Sequence, residues 1–296
     1  SQVMIRRLKS DLVDVDGKPL YAERKLQALA VPYTNEERSI HQKLTDYCAS
    51  REHAADGTRS AFGTAFVNQL LKKRLFSSPA AFACTLEKHI SSLSGGVQRK
   101  EKDPMAERIL RKAILRIDED YAKDQDVEDA QAEAVEEASR RSHALTPEQK
   151  RALDELRQWA QRAKNKVDSK AQAIIDWLES NLKTNGQWND RRVILFTEYR
   201  STHQWMHEIL ASHGFGGERL AILHGGLDMK DREEIKAAFQ TSPKDAAVRI
   251  LLATDAASEG IDLQNHCNCL IHLEIPYNPN VMEQRNGRID RHGQRQ

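Results

Sequence analysis

From position 168 onward the chain carries a pattern that few folds can accommodate. The run at 270–275, apolar at four of six positions, reads as a strand, and residues 193–197, 220–223 and 250–253 are apolar at nearly every position. A strand with one face in water alternates apolar and polar residues; these runs do not, so both of their faces must be covered. Helical patterns separate them, at 170–182, 201–212 and 230–239. In the first of these Ile174, Leu178 and Leu182 recur every four residues. Ser201, with Gln204 three residues on, reads as a cap for the second, and Gly214 as its end. Asn185-Gly186 reads as a turn. Strands that alternate with helices form a parallel sheet covered on both faces, an α/β architecture.

Such sheets bind ligands at the carboxyl ends of their strands. The loops expected there are 197–200, 224–226, 254–262 and the residues after Ile275. They offer hydroxyls (Thr197, Thr254, Ser258), glycines (Gly225, Gly226, Gly260) and guanidinium groups (Arg200, Arg285, Arg288, Arg291). Neither His224 nor His292 has a Ser or Cys near it in sequence to form a nucleophile–base pair. The inventory fits polyphosphate binding and stabilisation of charge on a transferring phosphoryl group, and it does not fit acyl transfer. Arg288 and Arg291 lie three apart, so a helix through them would present both on one face.

Upstream the chain is helical in pattern. Residues 1–12 read as a short basic helix, and 27–31 as a run able to form a strand. Thr34 is placed to cap a helix with Glu36 and Glu37 in its first turn, ahead of a polar loop at 51–60. Two further helices, 61–76 and 79–93, break at Ser77-Ser78-Pro79. Residues 99–166 are rich in Ala, Glu, Asp, Lys and Arg. A helical arm is expected here: a basic part that begins in the preceding helices, with Lys72, Lys73, Arg74, Arg108, Arg111 and Lys112 toward DNA, precedes an acidic part at 118–137 where the arm is expected to fray or stay disordered. Thr146-Pro147-Glu148-Gln149 restarts a helix with a cap, a first-turn proline and a capping box. Three parts are expected: 1–52, 53–167 and 168–296.

Net charge is +1, from 45 Lys and Arg against 44 Asp and Glu, so any nucleic-acid footprint must be local. No run approaches the roughly 18 apolar residues of a membrane span, and no signal peptide is expected. A cytoplasmic protein without a membrane partner is expected. Cys267 and Cys269 stand one residue apart, without the paired spacing of a zinc site. With Cys48 and Cys84 they read as packing thiols.

The loop residues also carry a resemblance. Thr254-Asp-Ala-Ala-Ser-Glu-Gly-Ile-Asp-Leu-Gln264 is similar to motif V of the superfamily 2 helicases. Gln284-Arg-Asn-Gly-Arg-Ile-Asp-Arg291 is similar to motif VI, and Val193-Ile-Leu-Phe-Thr-Glu-Tyr199 to motif IV. His224-Gly-Gly with Arg232 resembles the segment after motif IV. Arg288-Ile-Asp-Arg-His-Gly-Gln294 is closest to the Swi/Snf-type DNA translocases, and 5–11 resembles the end of their first lobe. The resemblance implies a RecA-like C-terminal lobe, with a large helical region before it. It implies Arg288 and Arg291 as arginine fingers, and Gln284, Arg285, Gly260 and Asp262 bordering ATP with Mg2+. Thr197, Arg200, His224, Gly225 and Thr254 would face the nucleic-acid backbone of duplex DNA.

A triphosphatase of this type also needs a phosphate loop, Gly-x-x-x-x-Gly-Lys-Ser/Thr. The single Gly-Lys is Gly17-Lys18, with Leu12 where the first glycine should stand. Ile117-Asp-Glu-Asp120 mimics the acidic magnesium motif but follows a charged helical stretch, and reads as a solvated face. The nucleotide is therefore expected to be held mainly by an N-terminal helicase lobe of the same protein. The lobe read here would be inactive in hydrolysis without it. The acidic arm is a candidate contact for a protein partner. Two rival readings stay open: a nucleic-acid or protein-binding module on a degenerate lobe, and a strand-separating DNA or RNA helicase.

Overall fold

A computed structural model describes residues 16–17, 24–58, 60–94, 124–255, 263, 265–276 and 278–290. Two bodies of different construction meet along the chain: a helical bundle and an α/β lobe.

The bundle contains α1 (Asn35–Ala55), α2 (Ala61–Ser77), α3 (Pro79–Ser94), α4 (Asp124–Arg140) and α5 (Pro147–Ala163). Thr34 caps α1 as expected, in a capping box with Glu37, and Thr146 caps α5 in a second box with Gln149. One core joins all five helices, around Leu44, Tyr47, Leu71, Phe82, Leu86, Ala134, Leu156 and Trp159. Three expectations are corrected. Residues 27–31 form no strand and run as irregular chain, with Leu26 fully exposed. The loop expected at 51–60 is shorter, because α1 continues to Ala55 and buries Arg51 against Gln149 and the carbonyl of His143. This helix also crosses the boundary expected at 52. The acidic stretch, where described, is ordered: α4 buries Gln131, Ala134, Val135 and Ala138. That stripe has helical spacing, and its small side chains are why it was hidden among the acids. Residues 1–15 and 95–123, with the basic N-terminal helix, most of the basic arm and the 117–120 mimic, lie outside the described residues.

The lobe follows as α6 (Ser169–Leu182), β1 (Lys183–Thr184), β2 (Gln187–Trp188), β3 (Val193–Thr197), α7 (Arg200–Leu210), β4 (Leu220–Leu223), α8 (Met229–Gln240), β5 (Ile250–Thr254), β6 (Leu270–His272) and α9 (Pro279–Asn286). β1 and β2 form a small antiparallel hairpin. Its turn residues Asn185 and Gly186 both have positive φ, 52° and 76°, as a two-residue hairpin turn demands. The main sheet has the order β4-β5-β3-β6, with every pair parallel. Successive strand residues serve opposite faces. Val193, Leu195, Ile250 and Leu252 pack with Ile174, Leu178, Trp205 and Met206 of α6 and α7. Ile194, Phe196, Leu251 and Ala253 pack with Phe239 of α8. This is the α/β, RecA-like parallel sheet flanked by helices that the sequence pattern and resemblance led to. The last strand is shorter than expected, ending at His272 and leaving Leu273 to Ile275 as a turn toward α9.

Cys48 and Cys267 are buried in the cores, and burial pushes both thiols up to about 12. Among the described residues no helix is long and apolar enough to cross a membrane.

Candidate nucleotide and nucleic-acid edge

The parallel register sets four strand ends side by side. Thr197 at the end of β3 lies opposite Thr254 at the end of β5, and Phe196 opposite His272 at the end of β6. Beyond these ends stand Glu198, Asp255 and Glu274, so carboxylates, and not only cations, form the floor of the site.

Glu274 gathers one side of it. Its carboxylate accepts from the Thr197 hydroxyl at 3.0 Å, from the Glu198 amide at 3.2 Å and from the Ser77 hydroxyl of α2. Burial holds the Glu198 carboxyl above the ordinary carboxylate range. Lys73, 4.0 Å away, opposes the shift, and the charge of Glu274 adds to it.

Arg285 gathers the other side. It is 1% exposed on α9, and its fork grips Asp255 through Nε–Oδ1 at 2.5 Å and Nη2–Oδ2 at 2.7 Å. Nη1 donates to the Glu274 carbonyl at 3.0 Å and faces His272 Nδ1 at 3.3 Å. Guanidinium cannot accept, so Nδ1 accepts and Nε2 donates to Asn286 Oδ1 at 3.1 Å. Burial, then the neighbouring Arg285 charge, lowers the His272 pKa and keeps the ring neutral. All three guanidinium nitrogens of Arg285 thus face protein, and the residue ties α9 to the ends of β5 and β6.

Arg288 lies just past the end of α9. The helix stops at Asn286 and Gly287 takes the C-cap, so the helix expected to present Arg288 does not reach it. A Cβ at Gly287 would stand 3.2 Å from the Glu283 carbonyl, closer than ordinary packing allows. Arg288 is 8% exposed, and its carbonyl accepts from the Leu263 amide at 3.1 Å, which joins the end of the motif V segment to motif VI. Gln284 is exposed on α9. Arg24, in the chain entering the bundle, pairs with Glu283 and Asp290 on either side of Arg288. Gly260, Asp262 and Arg291 lie outside the described residues.

The residues expected to meet nucleic acid divide in two. Thr197 and Thr254 are fully buried. Arg200, His224 and Gly225 are half-buried and gather at the edge, where Gly226 makes room for them. A Cβ on Gly226 would stand 3.3 Å from His224 Nδ1 and 3.4 Å from Arg200 Nη1. The Gly226 amide donates to His224 Nδ1 at 3.1 Å, and the His224 ring meets His203 edge-on at 5.7 Å. Arg200 is the first residue of α7. Ser201, expected as that helix's cap, lies within its first turn; Tyr199 holds the cap position and makes no side-chain cap bond.

Sequence reasoning missed Glu274 and counted Arg74 among the basic residues of the arm, whereas Arg74 is buried and, with Glu274, holds the β3 loop from outside its own stretch. Only long-range contacts reveal them. Asp255 was read as part of the motif V loop, not as the partner of Arg285.

Comparison with known proteins agrees with this geometry. Residues 169–293 match the family described as the helicase conserved C-terminal domain. The uncharacterized ATP-dependent helicase YqhH of Bacillus subtilis (strain 168) is 34% identical over 127 residues, 43% of this chain and 20% of that protein. The RNA polymerase-associated protein RapA of Pectobacterium atrosepticum is 30% identical over 120 residues, 40% of this chain and 12% of that protein. The matched stretch thus spans a fifth or less of these relatives' lengths. A crystal structure of the C-terminal part of the Fun30 ATPase domain superposes with a TM-score of 0.45 at 15% identity, over 88% of this chain and 79% of that one. Over residues 169–293 the α/β half of this chain is thus similar to the helicase conserved C-terminal domain, consistent with the C-terminal lobe of a superfamily 2 helicase.

Proposed function

We propose that this chain supplies one half of an ATP-driven motor that tracks along double-stranded DNA in the cytoplasm. The observation that carries the reading is the clamp of Arg285 on Asp255. It ties α9 to Asp255 at the end of β5, and just past that helix the Arg288 carbonyl meets the Leu263 amide of motif V. In this reading Gln284 and Arg288 border the nucleotide with Gly260, Asp262 and Arg291, and Arg285 holds the wall behind them. ATP with Mg2+ supplies the transferable phosphoryl group. Arg288 and Arg291 stabilise the negative charge that spreads over it in the transition state. No phosphate loop occurs in the 296 residues, so the nucleotide's main grip is assigned to an N-terminal lobe of the same protein. Arg200, His224 and Gly225 are assigned to the DNA backbone, where contact without base reading permits sequence-tolerant movement. Residues 168–296 form this lobe, and the helices before it form a fixed arm. Glu133, exposed on α4, is assigned to contact with a protein partner.

The test is DNA-stimulated ATP hydrolysis by this chain alone and by the protein with a phosphate-loop lobe restored. The chain alone is expected to be inactive, and robust hydrolysis by it overturns the assignment of the nucleotide's grip. In the restored protein Arg291→Ala should lower turnover by about 10³ while nucleotide binding persists. Salt-dependent DNA binding with no hydrolysis in either form would instead favour a binding module.

A further inference from the structure

Helix α7 begins without a cap of its own, although its first residue is Arg200. A helix N-terminus exposes amide groups and partial positive charge, and an oxygen acceptor with negative charge there stabilises it. The acceptor comes from the bundle. Glu128 of α4 takes the Ser201 amide at 3.3 Å and the Ser201 hydroxyl at 3.0 Å on the same carboxylate oxygen. That oxygen also accepts from Arg74 Nη1 of α2 at 2.8 Å. Arg74 is 4% exposed and reaches the same corner three ways. Nη1 lies 3.2 Å from the Ser201 hydroxyl, Nη2 donates to Gln131 Oε1 at 2.7 Å, and its guanidinium carbon lies 3.8 Å from the centre of the Tyr199 ring. The hydroxyl of Ser201 therefore donates to Glu128 and accepts from Arg74. Both chain neighbours of Arg200 are held from the bundle.

We propose that Arg74 and Glu128 are positioning residues for Arg200: they fix Tyr199 on one side of it and Ser201 on the other, so the helical bundle sets the aim of the nucleic-acid edge. The proposal deepens the reading of Arg200 as a DNA-backbone contact and rests on it for its functional half. Its structural half, that the bundle holds the 199–201 corner, stands independently.

The experiment uses the 296-residue chain with Arg74→Gln, Glu128→Gln and Arg200→Ala. Hydrogen exchange is followed over residues 197–205, and binding to duplex DNA is titrated over a range of salt. Loosening of the corner should raise exchange at 199–203 by about tenfold in Arg74→Gln and Glu128→Gln, with the strand amides of β3 and β5 unchanged. Each variant should weaken duplex binding about as much as Arg200→Ala and lower the salt slope by about one. Arg74→Gln added to Arg200→Ala should weaken binding no further, whereas a merely structural role would add its own loss. Unchanged exchange at 199–203 overturns the proposal, as does a loosened corner with full DNA affinity. Should Arg74→Gln fail to fold, Glu128→Gln, which keeps the shape and removes only the charge, gives the answer. If the unaltered chain binds no duplex, or binds it as well after Arg200→Ala, the DNA reading of Arg200 falls, and exchange alone decides whether the bundle positions the corner.

Discussion

At the scale of the residue, the fate of one guanidinium decides how the site is built. Arg285 sits in a motif whose other arginines are assigned to phosphate, yet its donors end on Asp255, the Glu274 carbonyl and His272. A buried charge without its partner is costly, so the pair is fixed once both members are present. Arg285→Ala should destabilise the lobe by about 3 kcal/mol, the lower end for removing one partner of a buried pair, because Asp255 keeps some access to water. Urea unfolding measures it. Arg285→Lys should recover little, since an ammonium cannot span both carboxylate oxygens. If Arg285→Ala left stability unchanged and abolished only nucleotide binding, the clamp would be secondary and the residue a ligand. A second residue-scale outcome concerns Gly226. Its missing side chain leaves the space shared by His224 and Arg200. Gly226→Val should push both aside and weaken duplex binding about as much as Arg200→Ala, with little loss of stability at this exposed turn. Binding titrations and thermal unfolding of the same variant separate the two effects.

At the scale of the element, what could be read in advance followed from local chemistry. The strand runs at 193–197, 220–223 and 250–253 declared themselves because a strand buried on both faces has no polar residue to interrupt it. The caps at Thr34 and Thr146 were equally plain, since a capping box lies within four consecutive residues. The elements that escaped depend on partners far along the chain. Ser201 looks like a cap, yet its amide and hydroxyl both donate to Glu128 of the bundle. The acidic charge of α4 hid a short apolar stripe of Ala134, Val135 and Ala138, which packs against α2 and α3. The seam among α1, α3 and α4 holds His89 of α3 between the Tyr47 hydroxyl at 2.7 Å and the Ser139 hydroxyl at 2.7 Å. Burial, then the charge of Arg51, lowers this imidazole from 6.5 to about 3. The unfolded chain therefore binds a proton near pH 6.5 that the folded bundle refuses until about pH 3. Stability from this group is whole above pH 6.5 and is lost as pH falls toward 3. His89→Gln, which keeps a donor and an acceptor but does not titrate, should reduce the slope of stability against pH in that window by about 1.4 kcal/mol per unit. An identical slope in both proteins would remove His89 from the acid sensitivity of the bundle.

At the scale of the whole molecule, the question is whether bundle and lobe behave as one body, because an arm can aim a loop only if it does not swing. The contact between them is polar and buried. Lys170, at the start of α6, donates through Nζ to the Phe76 carbonyl at 2.8 Å, to the Leu273 carbonyl at 3.2 Å and to the Ser77 carbonyl. It thus caps the end of α2 with a positive charge and holds the turn after β6 in the same grip. Burial lowers its pKa, and the charges of Glu274 and Asp168 oppose that shift. Beside it the hydroxyls of Ser77 and Ser78 meet Thr202 of α7, Ser78 at 2.8 Å, and Ser77 also reaches Glu274. A junction of this kind holds well while complete and fails as a unit, since each unpaired carbonyl left inside costs about 1–3 kcal/mol. The tryptophans allow the two bodies to be followed separately: Trp159 lies in the core of the bundle, while Trp177, Trp188 and Trp205 lie in the lobe. The unaltered chain should unfold in urea in a single transition, with Trp159 and the lobe tryptophans coincident. Lys170→Met fills the same space but strands the carbonyls of Phe76, Ser77 and Leu273. It should split unfolding into two transitions, each close to the stability of one body, and should weaken duplex binding as the bundle loses its hold on the 199–201 corner. Fluorescence of variants retaining either Trp159 alone or the lobe tryptophans alone reads the two transitions. A single coincident transition in Lys170→Met would show that apolar packing alone couples the bodies, and would leave the polar junction no part in fixing the arm.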